Sequence, residues 1–210
     1  MQYKRVIPAV SKEEKRVFSR DAVETSQELH ESEFGAHFLV VYPDLVTFRE
    51  TYSQYVKEAM KDNEIVIILP FYETANDVRR IMSEDGLGIS VRRYEKEQSL
   101  LIMDSLKAYF GLKFGLIPFL NQTVEYAKKS GKDGVTVIGD MGSFFYSQNA
   151  NSNLLQYEMT LPEVFEDMNL KGFCFYHRRD FNGRLTEQEK KTLLDHHGKT
   201  KYLLPSLIGS

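Results

Sequence analysis

The chain is expected to fold as an α/β domain, with a mainly parallel sheet sandwiched between helices. Three observations lead there. Four short runs, residues 36–42, 65–69, 135–138 and 172–176, are apolar almost throughout instead of alternating. A strand without a polar face is buried on both sides, as in a parallel sheet. Between these runs lie segments with helical spacing, such as Leu45, Phe48, Tyr52, Tyr55, Val56 and Ala59, so strands and helices alternate. Finally, the run at 135–138 leads into Asp140, and open α/β sheets build ligand sites at the carboxyl ends of their strands.

Composition narrows the class. The 210 residues are enough for one large domain with a real core. A net charge of −3 gives no global electrostatic case for nucleic acid or an anionic membrane surface. The single cysteine, Cys174, excludes an intrachain disulfide framework and fits a reducing compartment. No stretch approaches a membrane-spanning length, and the first residues lack the apolar core of a secretory signal, so a cytoplasmic protein is expected.

The elements follow in order. Residues 1–34 are expected to form an extension with a charge-dense helix over 11–31, capped by Ser11 with Glu14 completing a capping box. Residues 35–210 form the α/β domain. Its first strand ends at Tyr42, Pro43 and Asp44 start a helix through Lys61, and a second strand over 65–69 is closed by Pro70. Thr74 and Asp77 mark a helix start that runs to Ser83. Residues 89–94 and 100–103 are expected to be two short strands. A helix beginning near Pro118 runs to Ser130. After Asp140, residues 143–153 form a loop or a short helix and loop. Residues 154–168 are helical by pattern, with Pro162 kinking the helix or starting a new one. Residues 178–184 are expected to be a charged turn around Asn182-Gly183. Thr186 caps a helix to His197, and a last strand spans 201–204.

This order resembles the RecA/KaiC-like core: strand, helix, strand near an acid (Glu73), helix, paired strands, long helix, strand ending in Asp140. In that superfamily the first strand feeds a phosphate loop. Here the junction reads Tyr42-Pro-Asp-Leu-Val-Thr47, without glycine or lysine. Backbone N–H groups cannot wrap a phosphate there, and proline removes one donor. An ordinary NTPase is therefore not expected.

The chain further resembles the MEDS sensory domains of methanogens and methylotrophs. The matching features are His37-Phe-Leu-Val-Val-Tyr42, Glu64 after Asn63 where the family has glycine, and Gly139-Asp-Met141 with aspartate for glutamate. They continue with Leu154-Leu-Gln-Tyr-Glu158, Cys174-Phe-Tyr176, the basic turn Arg178-Arg-Asp-Phe181, and Asp195-His-His197. The similarity covers residues 35–205. It implies a degenerate RecA-like core and a non-catalytic, regulatory, small-molecule-sensing function with no cofactor. The partners expected are a small organic effector and either a second copy of the chain or a separate output protein. A residual nucleotide-binding activity and a pure oligomerisation scaffold are the alternatives.

An effector is expected at the carboxyl edge of the sheet, among Tyr42, Asp104, Asp140, Met141 and Phe144. His37, Tyr157, Glu158, Tyr176 and His196 complete the candidate set. Asp140 is either a pocket residue or a turn aspartate capping through the backbone of Ser143. Glu73 is expected to be a capping or solvated carboxylate. Glu158, if inward, needs a partner, which His196 or Arg178 could supply. No metal is expected: Cys174 and His177 point to opposite faces of a strand, and the adjacent His196 and His197 diverge on a helix.

Overall fold

The computed structural model describes residues 20–84, 87–147, 150–168 and 170–205. The expected cap of the first helix, Ser11 with Glu14, lies outside them. Six strands, β1 (His37–Tyr42), β2 (Ile65–Leu69), β3 (Leu100–Ile102), β4 (Val135–Asp140), β5 (Leu170–His177) and β6 (Lys199–Tyr202), form one sheet in the order β3-β2-β4-β5-β1-β6. Every pairing is parallel. The apolar runs read from the sequence are the central strands, and β1, β2 and β4 are buried at every residue.

Two cores result, one on each face of the sheet. Helices α1 (Arg20–His30), α2 (Leu45–Ala59), α3 (Ala75–Glu84) and α4 (Val91–Lys96) cover one face, with Phe38, Val40, Tyr42, Phe173 and Phe175 facing them. Helices α5 (Leu116–Ser130), α6 (Gly142–Phe145), α7 (Ala150–Met168), α8 (Arg178–Arg184) and α9 (Glu187–His196) cover the other, against Leu39, Val41, Cys174 and Tyr176. Side chains alternate across a strand, so neighbours in β1 and β5 serve different cores. Gly172 lets α7 approach: an added Cβ would lie 1.9 Å from the ring of Phe165.

Four expectations are corrected. Residues 89–94 are not a strand. Ile89 and Val91 are buried, but the residues that follow form α4, whose exposed Arg93 pairs with Glu97 one turn on at 2.8 Å. Residues 178–184 are not a turn but α8, with the His177 ring accepting the Arg179 N–H as its cap and Phe181 buried. Helix α7 begins at Ala150 and runs through Pro162 without ending. Pro162 removes the N–H that would have bonded the carbonyl of Glu158, four residues earlier. The last strand is Lys199–Tyr202, not 201–204. A π-helical turn, Lys107–Gly111, was not anticipated.

At the amino-terminal edge of the sheet a buried ion pair joins several elements. Lys171 Nζ donates to Glu64 Oε1 at 3.0 Å and to the carbonyl of His30 at 2.9 Å. Glu64 Oε2 accepts from Tyr55 Oη at 3.1 Å and Thr136 Oγ1 at 2.8 Å. Both charged side chains are 4% exposed. Breaking one side of such a pair leaves an uncompensated charge. Glu64→Ala is therefore expected to destabilise the chain by about 3–5 kcal/mol, and Glu64→Leu combined with Lys171→Met by much less. Urea denaturation of the three proteins measures this difference.

Candidate functional site

Two buried polar centres lie on opposite faces of the sheet. The first is built around Glu158, which α7 aims inward at full burial. His37 opens β1, Cys174 sits mid-β5 beside Leu39, and His197 follows the last turn of α9. Together these four place one ligand-type atom each within 4.8 Å of one another. His37 Nε2 lies 3.3 Å from Cys174 Sγ and 3.4 Å from Glu158 Oε2. His197 Nε2 is also 3.4 Å from Glu158 Oε2, and Cys174 Sγ is 3.5 Å from the same oxygen. Tyr176 Oη donates to the other carboxylate oxygen, Oε1. The rings of His37 and His197 lie 3.9 Å apart.

The electrostatics follow from burial and charge. Burial pushes the Glu158 carboxyl up, but the ring nitrogens of His197 and His37 outweigh it and hold the carboxyl well below the usual range. Burial lowers the pKa of His37, against the pull of Glu158 and with the repulsion of His197. Burial, then the charge of Glu158, push the Cys174 thiol well up. An aromatic wall adjoins this centre. Tyr109, Phe144 and Tyr157 have centroids 4.9–5.3 Å apart. Gly139 makes room for Tyr109, whose Oη would lie 2.3 Å from an added Cβ.

The second centre is at the carboxyl edge, on the other face. Asp140 is fully buried; its Oδ2 accepts from Tyr42 Oη at 3.0 Å and its Oδ1 from the Gly142 N–H at 2.9 Å. Tyr42 stacks on Phe48 at 4.8 Å. The end of β1 is thus filled by an aromatic side chain. Asp44 occupies the start of α2, accepting from the Thr47 N–H at 2.9 Å, so a carboxylate already takes the position where a helix attracts an anion.

The candidate residues divide accordingly. His37, Glu158 and Tyr176 come together, with Tyr157 beside them. Tyr42 and Asp140 bond to each other, while Met141 and Phe144 turn to the opposite core. Asp104 stands apart, accepting the Ala75 N–H at 2.8 Å at the start of α3. It lines a cleft of about 730 Å³ along the sheet edge at β3, with Arg79, Lys107, Phe119, Gln122 and Tyr126. The partner of Glu158 is not His196 or Arg178: His196 is only half-buried, and Arg178 donates to the carbonyl of Leu203. His37 and His197 take that place. Asp140 accepts from the Gly142 N–H, not from Ser143. Glu73 is neither a cap nor solvated: it is buried, accepting from Arg49 Nε at 2.7 Å and Tyr52 Oη at 3.1 Å.

Cys174 and His177 do face opposite cores, but Cys174 meets residues from β1, α7 and the end of α9 instead. Tyr109 was missed altogether, because a π-helical turn has no clear periodic signal. His197 had one: it is the last residue before Gly198, where the chain must turn back towards the sheet.

Asp140 supplies a measurable pH signature. Burial, opposed by the Gly142 and Tyr42 hydrogen bonds, raises its pKa to about 7. A carboxyl raised above its unfolded value binds a proton more tightly in the folded state. Its contribution to stability is full below pH ~4 and is lost as pH rises towards 7. Asp140→Asn is expected to flatten the stability profile between those values, as measured by urea midpoints, and Tyr42→Phe to move the Asp140 titration upward, as measured by carboxyl NMR.

Comparison with known proteins agrees with this architecture. A KaiC-like protein from the hyperthermophilic archaeon Pyrococcus horikoshii OT3 superimposes with a TM-score of 0.55 at 16% identity, covering 84% of this chain and 75% of that one. A second Pyrococcus horikoshii protein, described as uncharacterized and in complex with an unknown peptide, gives a TM-score of 0.57 at 10% identity, covering 88% of this chain and 84% of that one. At these identities the likeness establishes the fold, which is RecA/KaiC-like. No curated protein matches the sequence. The family described as MEthanogen/methylotroph, DcmR Sensory domain matches residues 36–191, most of the described chain. The chain therefore belongs to the MEDS family of sensory domains.

Proposed function

We propose that the chain is a non-catalytic module that senses a small organic effector and signals through a second copy or a separate output protein. The observation that carries the non-catalytic part is the rebuilt end of β1. Tyr42 fills it and bonds Asp140, and Asp44 places a carboxylate on the first turn of α2. A phosphate brought there would meet negative charge and no glycine-rich cradle. Membership in a sensory family supports the sensing part.

The cleft along β3 is the open space that best suits an effector. Its volume of about 730 Å³ falls in the range of small-molecule sites, and its lining mixes apolar side chains such as Ile102 and Phe119 with many polar and charged ones. Of the residues expected to bind a ligand, Asp104 is the one that lines it. The remainder of that set is packed among itself. A regulatory ligand must favour one conformation, and the cleft touches α3, β3, the π-helical turn and α5, elements that ligand contact would draw together.

The assembly reading also has a specific observation behind it. Among the described residues β3 is an edge strand of the sheet, and Leu106, Phe110, Phe114 and Tyr126 are 39–72% exposed. Light scattering after size exclusion tests that surface, with Phe114→Asp expected to shift any dimer towards monomer.

For sensing, a panel of small organic metabolites is expected to yield at least one compound that raises the melting temperature, and Lys107→Ala to remove that shift. A panel without a hit, beside capture of a protein partner, would replace sensing with scaffolding. Saturable, Mg²⁺-dependent binding of radiolabelled ATP would overturn the inference drawn from the Tyr42–Thr47 junction and favour a nucleotide-binding protein.

A further inference from the structure

We propose that His37, Glu158, Cys174 and His197 form a binding site for a borderline-soft divalent cation of the zinc class. The inference goes beyond the effector cleft and stands or falls without it.

Distance is the first argument. A tetrahedral ion with metal–nitrogen and metal–oxygen bonds near 2.0–2.2 Å and a metal–sulfur bond near 2.3 Å holds its donor atoms roughly 3.3–3.7 Å apart. Four donor separations here are 3.3, 3.4, 3.4 and 3.5 Å. The remaining ones do not exceed 4.8 Å, so a shift of one ring closes the figure. The donor set, two imidazoles, a thiol and a carboxylate, is one that zinc accepts and that magnesium or calcium does not favour.

Hydrogen bonding is the second. His197 Nδ1 lies 2.7 Å from the carbonyl of Leu193. A carbonyl only accepts, so Nδ1 carries the proton and, in the neutral ring, Nε2 presents a lone pair. That lone pair faces the Glu158 carboxylate, another acceptor, in a side chain with no exposed surface. His197 Nε2 is a buried polar atom without a hydrogen-bond partner, a costly arrangement. Either a second proton or a cation must sit between Nε2 and the carboxylate. A ring nitrogen donating to a backbone carbonyl while the other faces a metal is the usual outer support of a histidine ligand. Tyr176 Oη, donating to Glu158 Oε1, supports the carboxylate in the same way.

Charge is the third. A divalent ion with one thiolate, one carboxylate and two neutral imidazoles sums to zero. A buried centre of zero net charge avoids the cost of leaving Glu158 uncompensated. Binding requires the Cys174 thiol to lose its proton, which leaves to solvent as the sulfur–metal bond forms, with no change of oxidation state. The site is therefore expected to weaken as pH falls.

Co²⁺ titration of the metal-free, folded chain tests the site. The expected result is one equivalent bound per chain, with the strong visible bands of four-coordinate cobalt and a thiolate-to-cobalt charge-transfer band. Because the chain has a single cysteine, that band identifies Cys174 even if substitutions fail to fold. Cys174→Ser and His197→Gln, where folded by circular dichroism, are expected to lose the charge-transfer band and the four-coordinate spectrum respectively. Tyr176→Phe, outside the donor set, is expected to weaken binding by about 10–100-fold. Failure of the folded wild-type chain to take up Co²⁺ or Zn²⁺, uptake without a sulfur band, or unchanged uptake by folded Cys174→Ser would each overturn the proposal.

Discussion

A parallel sheet covered on both faces leaves no water for the polar groups that enter it, so each must bring its own partner. The architecture of this chain depends on how it meets that constraint. Glu64 is matched by Lys171, and Glu73 by Arg49. Among the described residues no cation pairs with Asp140; burial instead favours its proton, while Tyr42 and Gly142 hold the carboxyl in place. Asp180, also buried, is matched by Arg184; Glu158 differs from these. Its partners, two imidazoles, a thiol and a phenol, carry no fixed charge, and for that reason its surroundings invite a functional reading.

The packing that serves stability also assembles the Glu158 centre. The absence of a side chain at Gly172 brings Phe165 of α7 against β5, which sets the depth at which Glu158 enters the core. His37 and Cys174 stand two residues out of register on adjacent strands, β1 and β5, and so on the same face. Helix α9 ends as the chain turns back to β6, and its last turn delivers His197 to that same face. Three separate connections must therefore be correct at once. At the ends of β1 and β4 the carboxyl edge, the usual ligand position in such sheets, is filled by Tyr42 and Asp140 on one face and by Met141 and Phe144 on the other.

Much of the fold was legible because burial on both faces leaves a strong local mark. The runs at 36–42, 65–69, 135–138 and 172–176 admit little but interior strands, and Gly131 and Gly198 follow the helices they end. The failures have local causes too. Ile89 and Val91 alternate like a strand, yet the charged residues after them are better satisfied by a helical ion pair. Asn182-Gly183 is a strong turn signal, but the burial of Phe181 and the His177 cap draw those residues into α8. For the site, the inward carboxylate of Glu158 was recognisable as needing a partner, whereas the identity of that partner was not: His37 lies more than a hundred residues away, and the choice between His196 and His197 turns on the phase of the last turn of α9.

By itself the amino-acid sequence determined the parallel α/β class, the family and the loss of a phosphate loop. Each is written in residues close together in the chain, as an apolar run, a motif order or a missing glycine. Tertiary structure alone decided that Tyr42 closes on Asp140, that Asp104 faces a cleft at the edge by β3, and that His37, Glu158, Cys174 and His197 meet. Those facts depend on strand order and helix phase, which long-range packing sets and which no local pattern encodes.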